Sequence, residues 1–88
     1  MRWKRAAIRS ELIKVFEQHA QGGTKIDESS HLVADLGIDS LGVMEIVADV
    51  EDKFGLKIPD DSLREVETVA DVAHAIEVRL EREGRLQG

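Results

Sequence analysis

The 88-residue sequence has no cysteine, no tyrosine and only one proline, and aromatic residues make up 3% of it. Without cysteine the chain has no disulfide, no thiolate nucleophile and no cysteine-based metal site. No stretch approaches the roughly 18 consecutive apolar residues of a membrane span, and the basic N-terminus lacks the apolar run of a signal peptide. We therefore expect a cytoplasmic protein without a metal site and without stable insertion into a membrane.

The chain is also short, which limits what it can do alone. We expect a single domain over residues 1–88, whose small core leaves little room for a deep substrate cavity. The formal net charge is −6, although residues 1–14 hold five basic residues and one acidic residue. An acidic body repels nucleic acid and favours partners with basic patches. We expect a monomer that binds such partners and no nucleic acid.

Apolar residues at helical spacing predict an all-α fold with three main helices, one short helix and no β-strand. The first helix spans about residues 4–19, with an apolar stripe at Ile8, Leu12, Val15 and Phe16. The second begins at Asp39 or Ser40 and ends near Phe54, with a stripe at Val43, Ile46, Val47, Val50 and Phe54. A short helix covers about 60–66. The last follows an N-cap at Thr68, with a stripe at Val69, Val72, Ala73, Ile76 and Leu80.

A long first loop, about residues 20–39, connects the first two main helices. Its apolar residues are expected to pin it to the core, at Ile26, Leu32, Val33, Leu36 and Ile38. His31 has no second His or Cys nearby, which disfavours a metal role, so we interpret it as a surface residue of this loop. The ends of the chain, about 1–3 and 83–88, are expected to fray. Trp3 is the exception, because docking its ring on the bundle would bury a large apolar surface.

The stretch LGIDSLGVMEI, residues 36–46, places Ser40 where the loop becomes a helix. Asp39 and Ser40 are both preferred helix caps, so capping alone could explain them. A catalytic serine is disfavoured, because the G-x-S-x-G pattern is absent and the three histidines form no triad pattern with Ser40. The third interpretation is that Ser40 is an attachment point. These residues alone leave the cap and the attachment point open.

A second apolar strip on the same helix points away from the core stripe. It consists of Leu41, Met44 and Ala48, and the carboxylates of Glu45, Asp49 and Asp52 flank it. We call these six residues the docking face, because an apolar strip edged by acidic residues suits a basic partner. The alternative is that the strip only widens the core.

The segment LGIDSLGVMEIVADVEDKFGLKIPDD resembles the acyl carrier protein family, most specifically at residues 35–41, and the resemblance covers nearly the whole chain. It implies that Ser40, with Asp39 as its motif neighbour, carries 4′-phosphopantetheine as a phosphodiester. A separate phosphopantetheinyl transferase would install this arm from coenzyme A. The protein would then be a non-catalytic carrier of acyl thioesters for fatty acid or polyketide-type biosynthesis. Its partners would be acyl-loading, condensing and acyltransferase enzymes with basic docking patches.

Three features depart from the commonest pattern of that family. Gly42 stands where fatty acid synthase carriers usually have an acidic residue, Lys53 interrupts the acidic run, and the basic N-terminus with Trp3 is unusually long. They suggest a specialised carrier. Two alternatives stay open: a carrier of aminoacyl or peptidyl groups, and a helical adaptor without a prosthetic group. The sequence does not identify the acyl cargo.

Overall fold

Three long helices and one short helix make up the bundle in the computed structural model, which describes residues 2–19 and 25–87. They are α1 (Arg5–His19), α2 (Ser40–Phe54), α3 (Asp60–Arg64) and α4 (Val69–Arg82). The predicted all-α fold is confirmed, and α3 ends two residues before the expected 66. α1 packs against both α2 and α4. Among the described residues, no helix is long and apolar enough to cross a membrane.

The helix stripes predicted from apolar spacing form the core. Every stripe residue of α1 and α4 is buried, and Phe16 and Phe54 are among the largest fully buried side chains. In α2 the stripe is buried except at Val43, which is half-buried and packs on the edge of the core. Removing these apolar side chains from water contributes about 25 cal/mol per Å², and this burial is the main source of stability in a bundle this small.

The described part of the first loop, residues 25–39, is held by the core and by the start of α4. Leu32, Leu36 and Ile38 are buried, and Ile26 is half-buried against the same cluster. Val33 was predicted to be a further anchor, and this is wrong, since it is 61% exposed. The reason is a helical turn that puts Leu32 and Leu36 on one face and Val33 on another. The loop segment 20–24 lies outside the described residues.

Hydrogen bonds join this loop to the N-terminus of α4. The N–H of Leu32 donates to the carbonyl of Glu67, and the N–H of Val69 donates to the carbonyl of Ser30. The predicted N-cap of α4 is confirmed and forms a full capping box with Asp71. The Asp71 carboxylate accepts from the N–H groups of Glu67 and Thr68, and these bonds hold the pKa of Asp71 below its ordinary value.

The two ends of the chain pair with each other, which the sequence did not predict. β1 (Trp3–Lys4) runs parallel to β2 (Leu86–Gln87). The expectation that no strand forms is therefore wrong. The expected fraying is also not seen at Trp3 or over residues 83–87, while Met1 and Gly88 lie outside the described residues. Two-residue strands have no apolar alternation from which a sequence could reveal them.

Aromatic packing and an arginine reinforce this pairing at the C-terminal end of α2. The Trp3 ring packs edge-to-face on Phe54, with 4.6 Å between ring centroids, so the expected docking of Trp3 is confirmed. The Arg85 guanidinium donates to the carbonyls of Phe54 and Gly55, at 2.5 and 3.0 Å. Carbonyls in the last turn of a helix lack partners within the helix, and a cationic donor there also interacts favourably with the helix dipole.

Packing against Ile38 explains the glycine in the first turn of α2. A Cβ atom at Gly42 would lie 2.8 Å from Ile38 Cγ2 and 3.3 Å from Asp39 Oδ1. Ile38 is 4% exposed, and its β-branched side chain is stiff at χ1, so the methyl group cannot easily move away. Gly42 is therefore a packing partner of Ile38, and an acidic side chain there would collide with the core.

Replacing Gly42 by Ala should lower the free energy of unfolding by about 1 kcal/mol, because overpacking outweighs the better helix propensity of Ala. In an Ile38→Leu background, which removes the β-branch at similar volume, the same substitution should instead raise it by about 0.5–1 kcal/mol. Urea unfolding followed by circular dichroism measures both. If Gly42→Ala changed the free energy of unfolding equally with Ile38 and with Leu at position 38, packing of Gly42 against the Ile38 methyl group would be contradicted.

Trp3 should emit at shorter wavelength than free indole and resist quenching by iodide, because its ring packs on Phe54. Arg85→Met should shift the emission to the red and lower the free energy of unfolding by about 1–2 kcal/mol, since two carbonyls lose a charged donor. Arg82→Met, at an exposed position in the last turn of α4, is the matched control. Water-like emission with full quenching in the unsubstituted protein is incompatible with this packing.

Candidate functional site

The loop enters α2 at Asp39, and this residue caps the helix. Its backbone is extended, and its Oδ1 accepts the N–H of Gly42 at 2.8 Å. Ser40 is the first residue of α2 and is exposed. Within the described residues its hydroxyl has no hydrogen-bond partner. The cap is thus Asp39, and the idea that Ser40 also serves as a cap is wrong. This division leaves the Ser40 hydroxyl free.

The support beneath Ser40 is rigid on the loop side. Ile38 is buried, and its N–H donates to the carbonyl of Leu32 at 2.9 Å. Gly37 adopts a φ of 66°, in the left-handed region that glycine enters without strain, and its N–H donates to the carbonyl of Val33. A tight turn tied to the core therefore delivers the hydroxyl to one defined place on the surface.

No arrangement for activating Ser40 as a nucleophile is found in the described part of the chain. The His19 ring contacts Asp49, and His74 is exposed on α4. His31 is half-buried, and its Nδ1 accepts the N–H groups of Val33 and Ala34 at 3.3 and 3.1 Å. The interpretation of His31 as a simple surface residue is therefore wrong, because its ring caps the turn ahead of Ser40. Capping by histidine has no strong sequence signature.

The position of Ser40 suits a covalently attached phosphate. It lies at the N-terminus of a 15-residue helix, where free N–H groups and the helix dipole favour negative charge. The first turn of α2 holds no acidic residue, and the adjacent Asp39 carboxylate accepts a hydrogen bond from the N–H of Gly42. The hydroxyl is open to solvent, so a modifying enzyme can reach it and a long arm can leave it. The residues present therefore fit a phosphodiester at Ser40.

The structure decides how the apolar strip of α2 lies. Leu41 is 66% exposed and Met44 is 67% exposed, and Ala48 is exposed as well. The strip therefore does not widen the core. With Val33 these two residues are the exposed large apolar side chains of the described chain, and Val33 lies on the turn that leads to Ser40. Val33 was not predicted to belong to this exposed apolar set, because its side chain was expected to pack in the core.

The acidic members of the docking face are exposed, but two of them contact α1. The side chains of Glu45 and Asp49 are 59% and 51% exposed. His19 Nε2 lies 2.7 Å from Asp49 Oδ2, and His19 Nδ1 lies 3.9 Å from Glu45 Oε2. Asp52 is exposed one turn further along. The sequence offered no signal for the role of His19, since the contact joins residues 30 positions apart.

Lys53, which interrupts the acidic run of α2, is directed to α1. Its ammonium group donates to Glu11 Oε2 at 2.8 Å, and this bond is the main reason that the pKa of Glu11 lies below its ordinary value. The Lys53 charge is therefore largely matched by Glu11. Lys53 therefore offsets less of the negative charge of the docking face than its place in the acidic run of α2 suggests.

Comparison with known proteins agrees with this geometry. The family model described as "Phosphopantetheine attachment site" matches residues 7–76. An acyl carrier protein of Wolinella succinogenes is 43% identical over 63 residues, covering 72% of this chain and 83% of that protein. An acyl carrier protein of Rhodococcus erythropolis is 38% identical over 84 residues, covering 90% of this chain and 91% of that protein.

Solved structures give the same result. A protein from Mycobacterium tuberculosis, described as an acyl carrier protein, superposes with a TM-score of 0.76 at 26% identity, covering 82% of this chain and 97% of that one. The acyl carrier protein of Enterococcus faecalis superposes with a TM-score of 0.72 at 27% identity, covering 88% and 99%. The chain belongs to the acyl carrier protein family, whose members are non-catalytic carriers with 4′-phosphopantetheine as their cofactor.

Proposed function

We propose that Ser40 is the attachment point of 4′-phosphopantetheine and that the protein carries acyl intermediates as thioesters on this arm. The observation that carries the proposal is the exposed, unbonded hydroxyl of Ser40 at the N-terminus of α2, where Asp39 does the capping. The matched family region, residues 7–76, includes this position. We treat residues 1–88 as one carrier domain that acts as a monomer, and the cytoplasmic location stays a prediction from the sequence.

The chain contributes position and recognition, and it performs no bond chemistry on the cargo. When bound, the cofactor supplies the thiol that forms the thioester. The positive end of α2 stabilises the negative charge of a phosphodiester on Ser40. A flexible tether raises the effective concentration of its cargo at any enzyme on which the carrier docks. The core holds Ile38, and through it Ser40, in place while the arm moves.

We assign the cargo to acyl groups, for fatty acid or polyketide-type biosynthesis. The support is that the relatives described above are acyl carrier proteins at 38–43% identity. The residues before the serine, Ile38 and Asp39, also differ from the Gly-Gly that aminoacyl carriers more often show. The alternative, an aminoacyl or peptidyl cargo, is an outcome of the test below.

We further propose that the docking face is the surface that partner enzymes contact. Leu41 and Met44 offer exposed apolar area next to Ser40, and the carboxylates of Glu45, Asp49 and Asp52 surround it. Apolar area at the centre with charges at the rim is the usual anatomy of a transient interface. A phosphopantetheinyl transferase and acyl-handling enzymes with basic patches have the complementary chemistry.

Incubation with a phosphopantetheinyl transferase and coenzyme A should raise the intact mass by one phosphopantetheine. Ser40→Ala should abolish this increase while retaining the helical circular dichroism spectrum, because no hydrogen bond between described residues uses the Ser40 hydroxyl. Ser10→Ala, at an exposed position on α1, is the matched control and should load normally.

Two results would contradict the assignment. Loading of the Ser40→Ala variant would place the arm on another residue, and failure of the unsubstituted protein to load would favour an adaptor without a prosthetic group. The intact mass of protein isolated from its host then identifies the cargo. An aminoacyl or peptidyl mass would overturn the assignment to acyl groups.

Reversing two charges of the docking face, Glu45→Lys with Asp49→Lys, should slow loading of Ser40 about tenfold at low salt. The difference should shrink as salt is added, because exposed charges are screened. The matched control reverses two exposed carboxylates outside α2, Asp61→Lys with Glu81→Lys, and keeps the same net charge. Equal rates for the two double variants would show that net charge matters and that this face does not.

A further inference from the structure

His19 is the last residue of α1, and its ring lies between two carboxylates of the docking face. The ring is mostly covered, with 21% of the side chain exposed, whereas the side chains of Glu45 and Asp49 remain more than half exposed. His19 Nε2 contacts Asp49 Oδ2 at 2.7 Å and leaves Oδ1 of that carboxylate outside this contact. The histidine therefore lies behind the docking face while its two carboxylates stay open to a partner.

The charge of such a ring decides how many carboxylates it can engage. A neutral imidazole has one N–H, so it donates to one carboxylate, whereas a protonated ring has two N–H groups and can donate to both. Histidine side chains generally change charge between about pH 5 and 8, a range above that in which carboxylates ordinarily titrate. A change in the charge of the docking face within this range therefore has a candidate source in His19.

The other charged groups around this position are accounted for. On α2, Lys53 is held by Glu11 of α1 at 2.8 Å. Asp52 lines the neighbouring groove between α1 and α2, together with the uncharged residues Val15 and Gln18 of α1. The segment that follows His19, residues 20–24, contains no charged residue. The carboxylates within ion-pair distance of the described ring are those of Glu45 and Asp49.

Building on the proposed function, we infer that His19 makes the docking face sensitive to pH. When protonated, His19 engages both Glu45 and Asp49 and adds one positive charge, which slows the association of a basic partner. When neutral, it keeps its bond to Asp49 and leaves Glu45 to the partner. One unit charge near the rim of an interface should change the rate of association about two- to threefold at low salt.

Two variants bracket the two states of His19. His19→Gln is always neutral and retains a hydrogen-bond donor, whereas His19→Arg is always cationic. The measurement is the loading rate of Ser40 by a phosphopantetheinyl transferase at low salt, from about pH 5.5 to about pH 8. The unsubstituted protein should approach His19→Gln as the pH rises and His19→Arg as the pH falls. At each pH the loading rate of the unsubstituted protein is divided by that of a His19 variant. This ratio removes the effect of pH on the transferase and on coenzyme A, because both proteins are measured with the same reagents.

The inference is wrong if the ratio of the Ser40 loading rates of the unsubstituted protein and His19→Gln stays constant over this pH range. This holds even if Ser40 loads normally. A second measurement does not depend on loading. In the Ser40→Ala variant, the NMR signals of the Glu45 and Asp49 carboxyl carbons should shift with the midpoint of the His19 ring, and His19→Gln should abolish that shift. If the Glu45 carboxyl signal does not change with the protonation of the His19 ring, the inference is wrong, whether or not the proposed function holds.

Discussion

The junction between the first loop and α2 is the constraint on which the site depends. A hydroxyl meant for attachment has to lie at the end of a helix, fixed in place, and yet make no bond of its own. Burial of Ile38 fixes the chain, and the Asp39 carboxylate caps the helix. In the part of the chain that the structure describes, the Ser40 hydroxyl then has no hydrogen bond that an attached group would have to break. Gly42 completes the arrangement, since any side chain there would strike Ile38.

Helical periodicity predicted most of the fold, because a small bundle is stabilised mainly by burying one apolar face of each helix. The stripes of α1 and α4 and the cap at Thr68 were predicted correctly for this reason. Val33 was misassigned because a loop has no period, and only the turn at residues 31–37 decides which of its apolar residues face inward. The start of the second helix at Asp39 or Ser40 was also predicted from the sequence, and α2 begins at Ser40.

What the sequence did not reveal are contacts between distant parts of the chain. The pairing of β1 with β2 joins opposite ends of the sequence. The hydrogen bonds of Arg85 join the C-terminal segment to the end of α2, 30 and 31 positions away. The contact of His19 with Asp49 depends on how α1 crosses α2. Such contacts follow from packing angles between helices, and no local pattern of residue types encodes them. When such a contact is seen in the structure, a charged side chain that the sequence suggests is free turns out to be paired within the chain.

The basic N-terminus illustrates that change. The sequence left open whether its charges face a partner or the rest of the chain. In the structure, Arg9 forms an ion pair with Glu28 at 2.6 Å and lies 3.7 Å from Glu77 of α4, and Arg5 lies 4.0 Å from the same carboxylate. Glu77 is buried, with 8% of its surface exposed. A buried carboxylate needs nearby positive charge, so these two arginines have a structural role at the packing of α1 on α4.

The degree of burial therefore distinguishes two kinds of charged residue: those that stabilise the fold and those that are exposed to partners. Removing both arginines beside Glu77 would leave a buried carboxylate without a nearby positive charge, which is costly. The contact between His19 and Asp49 is different, because the Asp49 side chain is 51% exposed, and contacts at exposed carboxylates contribute only about 0–1 kcal/mol. A cation of a partner can displace it at little cost and leave again as easily. A carrier that visits one enzyme after another needs contacts of this strength, and the proposed docking face, partly paired within its own chain, would provide them.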